Sequence, residues 1–98
     1  MLNISDIKNK IRPICNGTKV VKMVLFGSYT KGTATPDSDI DLFMVSNGAI
    51  TGLSFYDLKS KIEDAFNTEA DMIPDLDIML DSPVERQIKE FGVVIYEQ

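Results

Sequence analysis

Histidine is absent from this sequence, and its absence excludes several kinds of active site. Serine and cysteine nucleophiles are commonly activated by a neighbouring imidazole, so Ser–His and Cys–His catalysis cannot operate within this chain. Any general base must therefore be a carboxylate or a lysine.

Cysteine is almost as scarce, since Cys15 is the single one. One thiol cannot form an internal disulfide, and a lone cysteine is typical of a reducing compartment, so the sequence predicts a cytoplasmic protein. No apolar run approaches the roughly 20 residues that a membrane-spanning helix needs. The first ten residues, MLNISDIKNK, also lack the layout of a signal peptide, and we expect no association with a membrane.

Basic side chains are outnumbered, with 10 Lys and Arg against 15 Asp and Glu and a formal net charge of −5. Proteins that coat nucleic acid need a basic face, so no direct nucleic-acid binding is expected. An acidic surface is compatible with a partner protein that is itself basic. The length of 98 residues predicts one domain, residues 1–98, with a modest core that needs no disulfide.

Hydrophobic periodicity predicts seven elements in the order α-β-β-α-β-α-β. Apolar residues recur at helical spacing in three stretches, and four short runs of apolar and β-branched residues are typical of strands. Pro13 is expected to kink or end the first helix. This order favours a two-layer α/β fold (α+β) with a small mixed sheet. The predicted helices cover residues 3–12, 54–66 and 82–92, and the predicted strands cover 19–26, 39–45, 75–80 and 93–97.

The stretch LFGSYTKGTATPDSDIDL, residues 25–42, concentrates glycine and acidic residues between two predicted strands. Gly27 and Ser28 directly follow the first strand, and a glycine there lets a ligand approach the backbone closely. Backbone N–H groups in a helical turn at 28–31 could hold phosphate oxygens. For these two residues alone, a strand-ending turn capped by Ser28 is the alternative interpretation.

Asp39 and Asp41 occupy alternate positions at the beginning of the second predicted strand, so their side chains project from one face. Two adjacent carboxylates repel each other, and burial increases the cost. A divalent cation removes this repulsion, and Mg²⁺ prefers hard oxygen ligands together with substrate phosphates. The alternative is an Asx turn that leads into a solvated strand start.

A third carboxylate is predicted at Asp77, near the beginning of the strand predicted at 75–80. If that strand lies parallel to and beside the second one, the helix at 54–66 is the crossover and the three acids meet at one end of the sheet. A first strand antiparallel to the second brings the Gly-Ser turn to the same end. Asp75 has the same parity, but Asp77 lies inside the apolar run and is preferred.

These residues resemble the nucleotidyltransferase superfamily that includes DNA polymerase beta, and most closely its minimal, single-domain members. The family motif is Gly-Ser, ten residues and then Asp-x-Asp, after an apolar strand. Gly27-Ser28, residues 29–38 and Asp39-Ile40-Asp41 match this motif in full. The ending PVERQIKEFGVVIYE resembles the closing helix and strand of these proteins, so the resemblance covers nearly the whole chain.

The resemblance implies a metal-dependent reaction. Asp39 and Asp41 would coordinate two Mg²⁺ ions, for which Mn²⁺ could substitute. Asp77 would hold the metal near the attacking hydroxyl and help to deprotonate that hydroxyl. A nucleoside monophosphate would be transferred to the hydroxyl, and pyrophosphate would be released.

The resemblance also implies a nucleotide site, with ATP as the usual substrate of the family. Gly27 and Ser28 would hold the β- and γ-phosphates, and Lys31 would contribute a positive charge. Many relatives carry arginine at the positions of Tyr29 and Lys31, and lysine lacks the bidentate grip of arginine on phosphate.

Family members of this size resemble the antitoxin of a two-gene pair whose other product is a small helical HEPN toxin. We expect no acceptor-binding domain in this chain, so the resemblance implies AMP transfer to a tyrosine hydroxyl of such a partner. One alternative is a binding module that neutralises its partner by contact alone. Another is a nucleotidyltransferase for a small molecule such as an aminoglycoside, which would need dimerisation. The sequence does not exclude a homo-oligomer.

Overall fold

The computed structural model describes residues 3–98 and confirms a mixed α/β fold. A short helical turn and a 3₁₀ turn accompany the seven predicted elements. Within the described residues, no helix combines the length and the apolarity needed to cross a membrane. In chain order the elements are α1 (Ile4–Cys15), β1 (Lys22–Phe26), α2 (Ser28–Lys31), β2 (Ile40–Val45), α3 (Gly52–Phe66), β3 (Ala70–Pro74), a 3₁₀ turn (Asp75–Asp77), α4 (Pro83–Phe91) and β4 (Val93–Glu97).

The four strands form one mixed sheet in the order β3-β2-β1-β4. β1 runs antiparallel to both β2 and β4, whereas β2 and β3 are parallel and are joined by α3 as the crossover. The predicted topology of the first three strands is therefore confirmed, although the third strand is built from other residues than those predicted. Since β1 ends where β2 begins, the turn after β1 lies at the same end of the sheet as the start of β2.

The core lies between one face of this sheet and the helices α1 and α3. Burial alternates strictly along β2, where every second side chain is buried, as expected for a strand with one covered face. The side chains at the intervening positions, Asp41 among them, therefore lie on the opposite face. The fully buried side chains of the core include Ile7, Ile11, Met23, Leu25, Ile40, Leu42, Met44 and Ile62.

The third strand lies five residues earlier than predicted, at Ala70–Pro74 rather than 75–80. The sequence prediction relied on the apolar residues that follow Asp75, but Leu76, Met79 and Leu80 are 71%, 74% and 81% exposed. They contribute little to the core, and the chain forms a 3₁₀ turn at the start of this stretch. Proline is tolerated at the last position of β3 because this strand lies at the edge of the sheet.

The first helix continues past Pro13, so the expectation that the helix could end there was wrong. α1 extends to Cys15, with Pro13 in its last turn. A proline removes one backbone hydrogen bond, and this loss is tolerated here because Ile11 and Cys15 on either side are fully buried against the sheet. Tertiary packing thus extends the helix beyond the limit that local propensity suggests.

Candidate active site

The Gly-Ser turn and Asp41 lie side by side because β1 and β2 are antiparallel. Phe26, the last residue of β1, pairs with Asp41. The chain then leaves the strand through Gly27, whose φ of +79° is accessible mainly to glycine. A Cβ atom at this position would overlap the Asp41 carboxylate. The sequence prediction that the turn reaches the acidic strand start is confirmed by this contact.

The turn that follows Gly27 is held by its own backbone. The N–H groups of Thr30 and Lys31 both donate to the Gly27 carbonyl at 3.1 Å, and the Thr30 hydroxyl donates to the same oxygen at 3.1 Å. Gly32 ends the turn in the left-handed region, with φ of +75°. Ser28 is thereby held at the start of a compact helical turn beside Asp41.

Lys31 projects from the end of this turn between α4 and the acidic strand start. Its Nζ atom lies 5.6 Å from the centroid of the Phe91 ring, which is a cation–π contact. Burial raises the pKa of Asp41, and the positive charge of Lys31 partly opposes that rise. Lys31 is therefore a cation beside the predicted metal ligands, where the phosphates of a nucleotide would need one.

The register of the sheet places Asp71, an acid that the sequence does not single out, directly opposite Asp41. These residues are partners in the parallel pairing of β2 and β3. Both project from the face opposite the core, because Ala70 and Met72 flank Asp71 with buried side chains. Asp39 immediately precedes β2 and has the same parity as Asp41. Three aspartates thus share the end of the sheet at which β2 and β3 begin.

The carboxylates of Asp39, Asp41 and Asp71 repel one another at this end of the sheet. Burial raises the pKa of Asp41, the carboxylates of Asp71 and then Asp39 raise it further, and Lys31 opposes them. Within residues 3–98, no three potential ligand side chains already stand together as a complete metal centre. Mg²⁺ needs only one or two carboxylates, since waters and substrate phosphates complete its shell. The carboxylate oxygens here fit that requirement.

Asp77 is not brought to this site. It ends the 3₁₀ turn after β3, and Pro74 at the end of β3 pairs with Met44 near the end of β2. Asp77 therefore lies beyond the opposite end of the strand from Asp71, where it lines a depression of about 730 Å³ together with Phe55. The expectation that Asp77 begins a strand was wrong because β3 starts five residues earlier.

Asp75, the alternative to Asp77 in the sequence prediction, has a structural role at the same distant end of the sheet. Its carboxylate accepts hydrogen bonds from the backbone N–H groups of Ser46 at 3.3 Å and Asn47 at 3.2 Å. These contacts stabilise the turn after β2. The signal that could have identified Asp71 is the alternation in Ala70-Asp71-Met72, a short edge strand with one polar side chain.

A second open depression, of about 660 Å³, adjoins the carboxylates on the β3 side. Because β1 and β3 flank β2 on opposite sides, this depression and the Gly-Ser turn approach the carboxylates from opposite directions. A reactant could enter from each side. The depression is lined by Asp39, Lys59, Glu63, Thr68, Glu69, Ala70 and Asp71.

The raised pKa of Asp41 predicts that the metal-free protein is stabilised by Asp41→Asn. A carboxyl group whose pKa is higher in the folded state opposes folding once it ionises, so stability falls as the pH rises from the unfolded pKa through the folded one. At neutral pH the variant should gain less than about 1 kcal/mol, since solvent screens this half-exposed group.

Urea denaturation in EDTA at neutral pH and near pH 3 measures this gain. The difference between wild type and variant should vanish at the acidic pH, where the carboxyl group is protonated in both states. A variant less stable than wild type at neutral pH would contradict the assigned repulsion.

Known proteins are similar to this chain in sequence and in fold. The family described as polymerase beta, nucleotidyltransferase matches residues 9–98. A candidate protein adenylyltransferase of Methanocaldococcus jannaschii is 32% identical over 72 residues, which cover 74% of this chain and 77% of that protein. The protein adenylyltransferase MntA of Shewanella oneidensis is 29% identical over 58 residues, which cover 59% of this chain and 42% of that protein.

Solved structures extend the comparison to the fold. A toxin–antitoxin crystal structure with AMP-PNP is similar with a TM-score of 0.75 and 26% identity, covering 93% of this chain and 73% of that chain. A candidate minimal nucleotidyltransferase has a TM-score of 0.75 at 20% identity and covers 94% of this chain and 95% of its own. With its Gly-Ser turn beside the paired aspartates and a family match over residues 9–98, this chain belongs to the polymerase beta nucleotidyltransferase family.

Proposed function

We propose that this chain transfers AMP from Mg-ATP to a hydroxyl group of a HEPN-type partner protein and releases pyrophosphate. The observation that carries the proposal is the register that sets Asp71 opposite Asp41, with Asp39 two residues earlier and the Gly27-Ser28 turn beside Asp41. The partner is supported by a structure with the same fold, a tri-AMPylated Shewanella oneidensis HEPN toxin in complex with an MNT antitoxin. That complex has a TM-score of 0.69 at 21% identity and covers 97% of this chain and 73% of the matched one.

The acidic residues divide the work of the proposed site. Asp39 and Asp41 would hold Mg²⁺, and Asp71 takes the third position that the sequence prediction gave to Asp77. When bound there, the ion would supply positive charge to the entering and leaving oxygens of an in-line displacement. Asp71 is the carboxylate on the β3 side, and it accepts the proton of the attacking hydroxyl.

The two reactants approach from the two sides of β2. The triphosphate lies on the β1 side, where Ser28 begins the helical turn and Lys31 adds a positive charge. The acceptor hydroxyl enters through the depression on the β3 side, which Asp71 lines. In-line displacement requires the nucleophile and the leaving group to stand on opposite sides of the phosphorus atom, and the separation of the two regions by β2 supports such an approach.

The function is tested by incubating the chain with Mg²⁺, ATP labelled at the α-phosphate, and a candidate HEPN-type partner taken from the product of the neighbouring gene. We expect label on the partner with wild type and none with Asp39→Asn. Asp37→Asn is the matched control, because Asp37 is exposed, lies outside β2 and has the same charge. Absence of transfer by wild type, or equal transfer by Asp39→Asn, would exclude the proposed reaction.

The same partner assay distinguishes neutralisation by AMP transfer from neutralisation by contact alone. If AMP transfer silences the partner, Asp41→Asn binds the partner but leaves it active. Full neutralisation by this variant would instead support a binding module with an idle site. Both outcomes are read from partner activity and from co-purification, with intact-mass measurement to show whether AMP has been added.

A further inference from the structure

We propose that Glu63 is a positioning residue for Asp71, which it keeps opposite Asp41. The inference rests on the proposed function, in which Asp71 is the third carboxylate of the site. Glu63 lies in the last turn of α3, and its Oε2 atom accepts a hydrogen bond from the backbone N–H of Ala70 at 2.9 Å. Ala70 is the first residue of β3 and directly precedes Asp71.

The beginning of β3 needs additional hydrogen bonds because two like charges face each other there. Asp71 and Asp41 are register partners with like charges, so their repulsion acts to separate the two strand starts. On the β2 side, the Ile40 N–H donates to the Glu69 carbonyl at 3.1 Å. Glu63 adds a bond from α3, a helix that the core holds in place. The first residues of β3 are thereby anchored both to β2 and to α3.

Glu63 is itself held in position by Lys59, one helical turn earlier. The Lys59 Nζ atom donates to the same Oε2 atom at 3.3 Å. The two side chains are 31% and 29% exposed, so both are partly shielded from solvent. Both also line the depression on the β3 side together with Asp39 and Asp71. The Lys59–Glu63–Ala70 chain of contacts thus ends beside the proposed metal ligands.

A second glutamate of this protein, in α4, makes similar contacts and serves as a matched control. Glu85 accepts a hydrogen bond from the Asp81 N–H at 3.0 Å and forms an i,i+4 ion pair with Lys89 at 3.4 Å. These are the two kinds of contact that Glu63 makes, but they hold the start of α4 rather than β3. A purely structural effect should therefore appear at both glutamates, whereas an effect on the metal ligands should appear only at Glu63.

The experiment measures the Mn²⁺ concentration that gives half of the maximal thermal shift of the full chain. Glu63→Ala should raise this concentration about tenfold, the usual scale for losing a residue that orients a metal ligand. Glu85→Ala should leave it unchanged. In the transfer assay, Glu63→Ala should lower kcat about tenfold with little change in the KM for ATP, because the phosphates bind on the β1 side.

Two conservative variants of Glu63 distinguish the effect of side-chain length from the effect of its negative charge. Glu63→Gln keeps an oxygen that can accept from the Ala70 N–H, and its Mn²⁺ response should stay close to wild type. Glu63→Asp keeps the charge but shortens the side chain, so it should behave like Glu63→Ala, and it replaces that variant if the alanine protein does not fold. The reverse order of these two variants would overturn the proposal.

Equal Mn²⁺ responses of Glu63→Ala, Glu63→Asp and wild type would also overturn it, and would reduce Glu63 to a structural residue like Glu85. If wild type itself shows no thermal shift with Mn²⁺, the metal site of the proposed function fails, and the role of Glu63 fails with it. The wild-type response therefore shows which of the two ideas is wrong.

Discussion

Replacing Asp71 by asparagine should lower AMP transfer by at least about 100-fold, on the scale of losing one group that stabilises the transition state. The same replacement at Asp77 should leave the rate within about twofold, the range expected for a charge remote from the reaction. Asp71 pairs with Asp41 at the beginning of β3, whereas Asp77 lies beyond the end of that strand. In the proposed site, the position of Asp71 opposite Asp41 would let these two carboxylates share a metal ion, whereas Asp77 lies too far along the sheet to do so.

The two variants are well matched. Both aspartates are exposed and both variants lose one negative charge, but Asp71 lies within β3 whereas Asp77 lies three residues after its end. Initial rates with labelled ATP measure the difference, and a thermal shift with Mg²⁺ checks that the loss concerns metal binding. A loss of activity with Asp77→Asn alone would restore the position predicted from the sequence and would remove Asp71 from the site.

Gly27→Ala should destabilise the protein by roughly 3 kcal/mol, which combines backbone strain with steric overlap. The φ of +79° is unfavourable for alanine, and the new Cβ would overlap the Asp41 carboxylate. For a domain of this size, such a loss lowers the Tm by more than about 10 °C. AMP transfer should also fall, because Asp41 must move to make room for the methyl group. Thermal denaturation and initial rates measure the two effects.

Gly32→Ala is the control for this substitution. Gly32 ends the same helical turn with φ of +75°, but a Cβ there would meet no atom within 4 Å. Only the left-handed backbone is then unfavourable, so the expected loss is about 1 to 2 kcal/mol, with metal binding retained. Equal losses of stability and activity at both glycines would show that crowding of Asp41 is not the cause of the effect at Gly27.

Most of the fold could be predicted because its signals are local. Capping residues and helical periodicity predict α1, α3 and α4, and a β-branched apolar run predicts β1. β3 was misplaced because an edge strand of five residues with Asp71 at its second position has a weak pattern. The strand was predicted at 75–80 because that stretch contains several apolar residues, but two of them, Leu76 and Leu80, are exposed. Hydrophobicity alone does not distinguish a buried strand from an exposed loop.

The part of the candidate site that a single strand–turn–strand unit builds could be predicted from the sequence. Gly27, Asp39 and Asp41 are close along the chain, and antiparallel pairing of β1 with β2 brings them together whatever the rest of the fold does. The acid proposed for the third position could not be predicted in this way, because its place depends on long-range packing. β3 reaches β2 through a crossover helix, so the register that places Asp71, and not Asp77, opposite Asp41 follows from how α3 packs and from where β3 is anchored. A shift of a few residues in that register would present a different aspartate, and long-range packing is what distinguishes the possible registers.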